Sequence, residues 1–365
     1  MSTLRERLGS LPAAPVPPVH LGLYWRPSRE TDSWKIRELI HLTEQHSHPA
    51  RPTSEGEISR LTHALSHPEL QDCLIGLDSR GNLAAFGSVT LQPDEKSYAR
   101  ADLFAVTAEH WRGRGIGRAL LAWQDVRARE LMLDYYGQDY DRPAQIRNVV
   151  DERAGDRRML YAAAGFSAQR TIKVFSHLLD AANFSDLAAL EEKFPTKDVR
   201  IVSARRLSPD QWEEIKALHV ANSARLYADK GDASRWWGRV LANLAPDLSF
   251  AAVSMNSGRV LAYCLVVYRD LCQSSCLESE GISAEIVPTV AVDIFGDDRK
   301  NADSHGADFT VLKQVLSQVL LACAHSGYKQ VFAEDNYPTL GDLSRVCAAC
   351  GFKLAGARMI YTVEL

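Results

Sequence analysis

The chain has 365 residues, 46% of them hydrophobic and 24% charged, with a formal net charge of −4. That length exceeds one ordinary core and predicts two domains, and the near-balanced charge excludes a protein that binds nucleic acid through bulk basicity. No apolar run reaches the roughly 18 residues of a membrane span and residues 1–18 lack the apolar segment of a secretory signal, so no membrane association and a cytoplasmic site are expected.

In chain order, a strand is predicted at 21–26, helices at 33–46 and 54–66, and strands at 72–78, 83–92 and 98–107. A helix follows at 114–131, where Ile116, Leu120 and Trp123 fall near helical spacing, then a strand at 146–150. A short helix stops before Gly165, the residue type favoured just past a helix end, and a strand at 173–179 closes the stretch. Residues 181–198 are polar and read as a linker. From 199 onward the order returns, with strands at 248–255, 259–269, 286–294, 329–333 and 357–364. Its best helix is 309–326, where Leu312, Val315, Leu316, Val319, Leu320 and Cys323 form one apolar stripe.

Short matches mark this as a repeat. Asp32-Ser33-Trp34 is matched by Asp210-Gln211-Trp212, Gly81-Asn82-Leu83 by Gly258-Arg259-Val260, and Ala164-Gly165-Phe166 by Cys350-Gly351-Phe352. The predicted fold class is therefore α/β with mixed sheets, in two tandem domains at 1–180 and 199–365. Seven cysteines, an odd number without regular spacing, argue against a disulfide framework and for a reducing compartment. Cys272 with Cys276 and Cys347 with Cys350 have the residue type for zinc, but the two spacings differ and the second pair sits in a predicted helix. Buried structural thiols are the favoured reading, and no metal is expected.

The segment with the most chemical content is Arg112-Gly113-Arg114-Gly115-Ile116-Gly117, between the strand ending near Val106 and the helix that follows. Glycines let the backbone curl so that successive N–H groups point into one concavity. The helix start adds free N–H groups and a positive dipole end, together suited to a diphosphate. No Gly-Lys-Ser/Thr follows, which excludes a mononucleotide P-loop, and the glycine spacing does not fit a dinucleotide fingerprint. Arg112-x-x-Gly115-x-Gly117 after a strand resembles the acyl-CoA pyrophosphate motif of the GNAT superfamily of N-acyltransferases. Leu160-Tyr161-Ala162-Ala163-Ala164-Gly165-Phe166 is similar to that superfamily's late helix and Gly-Phe turn. The tandem arrangement resembles two-domain members such as mycothiol synthase.

The resemblance implies acetyl-CoA or another acyl-CoA as co-substrate. It further implies that Phe104, Ala105 and Val106 offer backbone groups to the pantetheine arm, that residues 112–117 hold the pyrophosphate, and that Tyr161 protonates the departing sulfur. Departures are visible too. Ala108 stands where a proline is frequent, the stretch from Val106 to Arg112 is one residue longer than usual and predicts a bulge, and the asparagine expected two turns before the tyrosine is missing, with Ala154 near its place. The second copy has no such turn in 295–307 and carries Cys347 where the first has Tyr161. It is expected not to bind acyl-CoA in the usual way and to shape the acceptor pocket or stabilise the first copy.

N-acyl transfer requires a neutral amine, a stabilised oxyanion and a protonated leaving thiol. Asp102 is a candidate base, and strand alternation equally allows it to pair with Arg100. Glu109 and His110 read as solvated turn residues, with a proton relay through His110 as the alternative. Arg153, Arg157 and Arg158 read as surface or as contacts to the CoA ribose phosphate. Trp236, Trp237 and Arg239 read as a core-facing helix or an acceptor contact. The expected activity is acyl transfer to an amine of a small metabolite. The alternatives are a donor carried on a carrier protein's phosphopantetheine or on aminoacyl-tRNA, and a non-catalytic acyl-CoA sensor.

Overall fold

The computed structural model describes residues 2–62, 71–92, 98–179, 198–223, 237–238, 241–269, 283–290, 310–335 and 343–365. Most of the predicted linker, Trp236 and Arg239, Cys272 and Cys276, and the turn-free stretch 295–307 lie outside these residues. The chain divides into two compact units, Met1–Ile172 with Gly356–Leu365, and Lys173–Ala355.

The first unit is built on β1 (Tyr24–Pro27), β2 (Gln71–Leu77), β3 (Leu83–Leu91), β4 (Ala99–Thr107), β5 (Ala144–Asp151) and most of β12 (Lys353–Glu364). The pairs β1/β2, β2/β3 and β3/β4 are antiparallel, β4/β5 is parallel, and β5/β12 is antiparallel from Gln145↔Glu364 to Asp151↔Arg358. Both faces are covered, which is why β3 reads as a nearly continuous apolar run. On one face α4 (Ile116–Tyr136) sets Ile116, Leu120, Trp123 and Leu131 against Ala85, Val89 and Leu103. On the other, α2 (Ser33–Ser47) and α3 (Glu55–Thr62) set Ile36, Leu39, Ile40 and Ile58 against Ile75 and Phe86, with Phe104 and Val106 beside them. Residues 103 and 104 of one strand thus serve opposite cores, as strand alternation requires. A short helix, α1 (Leu4–Leu8), precedes these elements and buries Leu4 and Leu8; α5 (Gly155–Ala163) follows β5.

The second unit repeats the plan with the end of β6 (Ser167–Leu178), β7 (Val199–Ser203), β8 (Phe250–Ser254), β9 (Val260–Arg269), β10 (Ser283–Val290) and β11 (Gln330–Glu334). Again the first pairs are antiparallel, β10/β11 is parallel, and the last strand, here β6, returns antiparallel to β11. Helix α6 (Pro209–Ser223) packs Ile215 with Tyr263, Leu265 and Trp237. Helix α7 (Thr310–His325) buries the predicted stripe Leu312, Val315, Leu316, Val319, Leu320 and Cys323, and α8 (Leu343–Ala349) adds Val346 and Cys347. Cys347 and Cys350 are fully buried in this apolar cluster and belong to no disulfide.

The repeat and the compact unit are different divisions of the chain. The strand that closes the first repeat, β6, runs into the second unit, and the strand that closes the second repeat, β12, runs into the first. The units therefore do not coincide with 1–180 and 199–365, because the closing strands are exchanged. No helix among the described residues is long and apolar enough to cross a membrane.

Candidate active site

After Thr107 the chain makes a 3-10 turn at Glu109–Trp111. Ala108 N–H donates to Ala84 O at 2.8 Å, a bond that proline cannot make, so alanine at this place has a structural reason. The predicted bulge is absent. The β3/β4 register is unbroken from Leu91↔Ala101 to Ala85↔Thr107, and the 3-10 turn takes up the extra residue.

Gly113 and Gly115 have φ of +75° and +87°, a region that other L-residues enter at a cost of roughly 1–2 kcal/mol. Gly115 is the N-cap of α4 and offers no side-chain cap. The first intrahelical bond runs from Ala119 N–H to Gly115 O at 3.0 Å, so the helix leaves the N–H groups of Ile116, Gly117 and Arg118 to an outside acceptor. Each suitable contact of this kind contributes about 0.3–1 kcal/mol toward an anion. At Gly117 a Cβ would stand 3.4 Å from Leu160 Cδ2, so the start of α4 lies against α5. The Arg114 guanidinium lies 4.5 Å over the Trp111 ring and donates to His110 O at 3.2 Å. The turn is thereby held in place by its own cation.

The strands beside this turn separate. Parallel pairing of β4 with β5 covers only Ala99–Asp102 against Ala144–Arg147, while β4 continues to Thr107 and β5 to Asp151. The β5-facing edge of β4 beyond Asp102 therefore has backbone groups that no ladder bond to β5 claims. A cavity of about 130 Å³ lies here. Its walls are Ala105, Val106 and Thr107 of β4; Trp111, Arg112 and Gly113 of the turn; Ile116, Gly117, Leu121 and Gln124 of α4; Asp156, Arg157, Leu160 and Tyr161 of α5; and Thr43 of α2.

Tyr161 is buried, its ring 5.2 Å edge-on from Phe166 and 6.0 Å from Tyr361. Asn148 Nδ2 donates to its phenolic oxygen. Burial pushes the phenol above its ordinary pKa, opposed by the Arg157 charge and by hydrogen bonds from Asn148 and Arg157. Because both neighbours donate to the oxygen, the phenol keeps its own proton for another acceptor. The amide beside the phenol thus arrives from β5, while Ala154, where an asparagine is expected, is the residue that precedes α5. Asn148 lies on the buried face of an alternating strand whose other members there are Ala144, Ile146 and Val150. A polar residue on an apolar stripe was the signal that sequence reasoning passed over. Gln124 is the same kind of signal on α4, wholly buried beside Leu120 and Trp123.

Of the residues singled out in the sequence, Ala105, Val106, Arg112, Gly113, Ile116, Gly117 and Tyr161 line one cavity. Phe104 does not; its ring packs 6.2 Å from Phe86 and its carbonyl accepts from Gln124. Arg114 and Gly115 shape the turn without lining the cavity. Asp102 lies off the cavity between Arg147 Nε at 3.0 Å and Arg100 Nε at 3.3 Å. Glu109 forms an exposed pair with His46 at 3.0 Å. Within the basic run, Arg153 and Arg158 donate to His48 O and Glu152 O, and Arg157 alone faces the cavity. Trp237 is core, edge-on to Trp212 at 5.9 Å.

No protein-family model and no curated protein matches the chain. Solved structures do. A GCN5-related N-acetyltransferase from Sphaerobacter thermophilus is similar with a TM-score of 0.64 at 14% identity, over 97% of each chain. A tandem GNAT protein from the clavulanic acid biosynthesis pathway is similar with a TM-score of 0.57 at 18% identity, over 94% of this chain and 98% of that one. Saccharomyces cerevisiae N-myristoyltransferase with bound myristoyl-CoA is similar with a TM-score of 0.53 at 9% identity, over 98% of this chain and 86% of that one. At these identities the likeness speaks to architecture, and over nearly its whole length the chain has the fold of a tandem GCN5-related N-acetyltransferase.

Proposed function

We propose that the first unit transfers an acyl group, with acetyl expected, from acyl-CoA to the amine of a small metabolite. The observation that carries this reading is a single cavity whose walls include both the glycine turn and Tyr161. The turn offers main-chain N–H groups to the diphosphate, and the free edge of β4 near Ala105 and Val106 runs beside the pantetheine arm. The neutral amine attacks the thioester carbonyl, a backbone N–H near Val106 receives the oxyanion, and the carbon–sulfur bond breaks. Tyr161 gives its proton to the departing sulfur, and the proton of the attacking amine leaves through water or a base. An alkylammonium of pKa about 10.4 needs roughly 4.6 kcal/mol to be neutral at pH 7, so that last transfer requires a defined path. Asp102, held between two arginines, fits the pairing role better than the base role.

The bound acyl-CoA of one structural neighbour supports a thioester donor for this fold. We read the second unit as a copy that does not bind acyl-CoA in the usual way. A reducing, cytoplasmic setting agrees with the buried free thiols. The test is an amine-library screen following free thiol release from several acyl-CoAs. Release that depends on one class of amine supports the proposal. Activity only from a loaded carrier protein or aminoacyl-tRNA replaces the donor, and thermal stabilisation by acetyl-CoA without turnover of any amine makes the protein a sensor.

A further inference from the structure

Gln124 lies seven residues beyond Gly117 on α4, about 10 Å along the helix axis, and is wholly buried. Its Nε2 donates to Ser88 O and to Phe104 O, both at 2.8 Å. Both partners are carbonyls, so the amide cannot be turned over, and its oxygen must face away from them. At Gly87, across from this clamp, a Cβ would stand 3.0 Å from Leu120 Cδ2, so glycine there lets α4 lie close to β3. Gln124 Oε1 has no hydrogen-bond partner among the described residues, and Gln124 lines the cavity. A clamp on two carbonyls needs only the nitrogen. A buried amide oxygen left unpaired is uncommon and calls for a partner that the protein itself does not supply.

We propose that Gln124 is a specificity-determining residue whose Oε1 accepts a polar hydrogen from the acylated arm of the donor; this rests on the acyl-CoA reading above. With the diphosphate at the helix mouth, the group that reaches Gln124 belongs to the inner end of the arm. Two sources carry the required N–H or O–H there, the amide nearest the sulfur and a hydroxyl on the acyl chain. An unpaired carbonyl oxygen also repels a carboxylate, so acyl groups that end in one are poor donors.

Isothermal titration with CoA, an analogue with ester for the amide nearest the sulfur, butyryl-CoA and 3-hydroxybutyryl-CoA tests this, on wild type and Gln124→Leu. In wild type one donor deletion, either amide to ester or hydroxybutyryl to butyryl, weakens binding roughly 5- to 100-fold, and Gln124→Leu erases that ratio. Which pair responds identifies the source. Uniform weakening of all four ligands with the ratio intact reduces Gln124 to a strand clamp and overturns the inference while the acyl-CoA reading stands. The same holds if neither ratio exists in wild type. Absence of CoA binding to wild type overturns both. Should Gln124→Leu fail to fold, Gln124→Met and the wild-type ratios decide.

Discussion

The two units run the same course, in which antiparallel strands lead to one short parallel pair and an antiparallel closing strand. In both, the parallel pairing covers four residues and the longer strand continues past it, β4 beyond Asp102 and β10 beyond Ile286. What is built at that point differs. In the first unit the helix before the Gly-Phe turn carries Tyr161, bonded by Asn148 and facing a cavity. In the second the corresponding residue is Cys347, wholly buried with Cys264 and Cys350 against α7. Burial, and then Cys350, push its thiol well above the ordinary value, which makes it a packing group and not a nucleophile. Both units leave the longer strand of the parallel pair unclaimed beyond four residues; the first sets the polar pair Asn148 and Tyr161 near that place, the second buried thiols.

The strongest way to break this contrast is Gly115→Asp. It sets a carboxylate where a diphosphate is expected, on a backbone with φ of +87°, and CoA affinity should fall on the order of 100-fold or more; unchanged affinity in a titration removes the turn from the site. Tyr161→Phe should lower kcat about 100-fold with little change in acetyl-CoA affinity, whereas Cys347→Ala should leave kcat unchanged and cost about 1–2 kcal/mol in a denaturant melt. Equal effects on kcat would erase the distinction between the units.

The pH dependence sharpens the same point. Because the folded-state pKa of Tyr161 is raised, its proton is retained through the ordinary phenol range near 10. The stability tied to that proton is fully present below this value and is lost as pH rises from it through the higher folded pKa. The kcat profile should therefore show no alkaline fall from Tyr161 below about pH 10; a fall near pH 8 that Tyr161→Phe abolishes would contradict the burial argument. Asp102→Asn should cost about 1–2 kcal/mol by removing the negative charge that Arg100 and Arg147 share and change kcat little. A large loss of kcat without loss of stability would instead make Asp102 the base. The smallest effect expected is from Thr3→Ala, about 1 kcal/mol from losing the cap on α1.

That last residue also marks where sequence reading stopped short. Thr3 and Glu6 cap each other reciprocally, with Glu6 N–H on Thr3 Oγ1 at 3.2 Å and Thr3 N–H on Glu6 Oε2 at 2.8 Å. The S/T-x-x-E pattern was present in the chain, yet a proline-rich stretch follows it and the helix is only five residues long. The glycine turn was legible because positive φ restricts the residue type at Gly113 and Gly115. The exchange of β6 and β12 was not, because alternation fixes the face a strand presents and says nothing about its neighbour. Asn148 was missed for a related reason. Its amide reaches Tyr161 across from β5, and helical spacing about the tyrosine gives no pointer to a residue on a neighbouring strand.

The most direct measurement is the stoichiometry of CoA binding by isothermal titration, on wild type and on Gly115→Asp. One site per chain is expected, lost in the variant. Two sites per chain, or one site indifferent to Gly115→Asp, would contradict it.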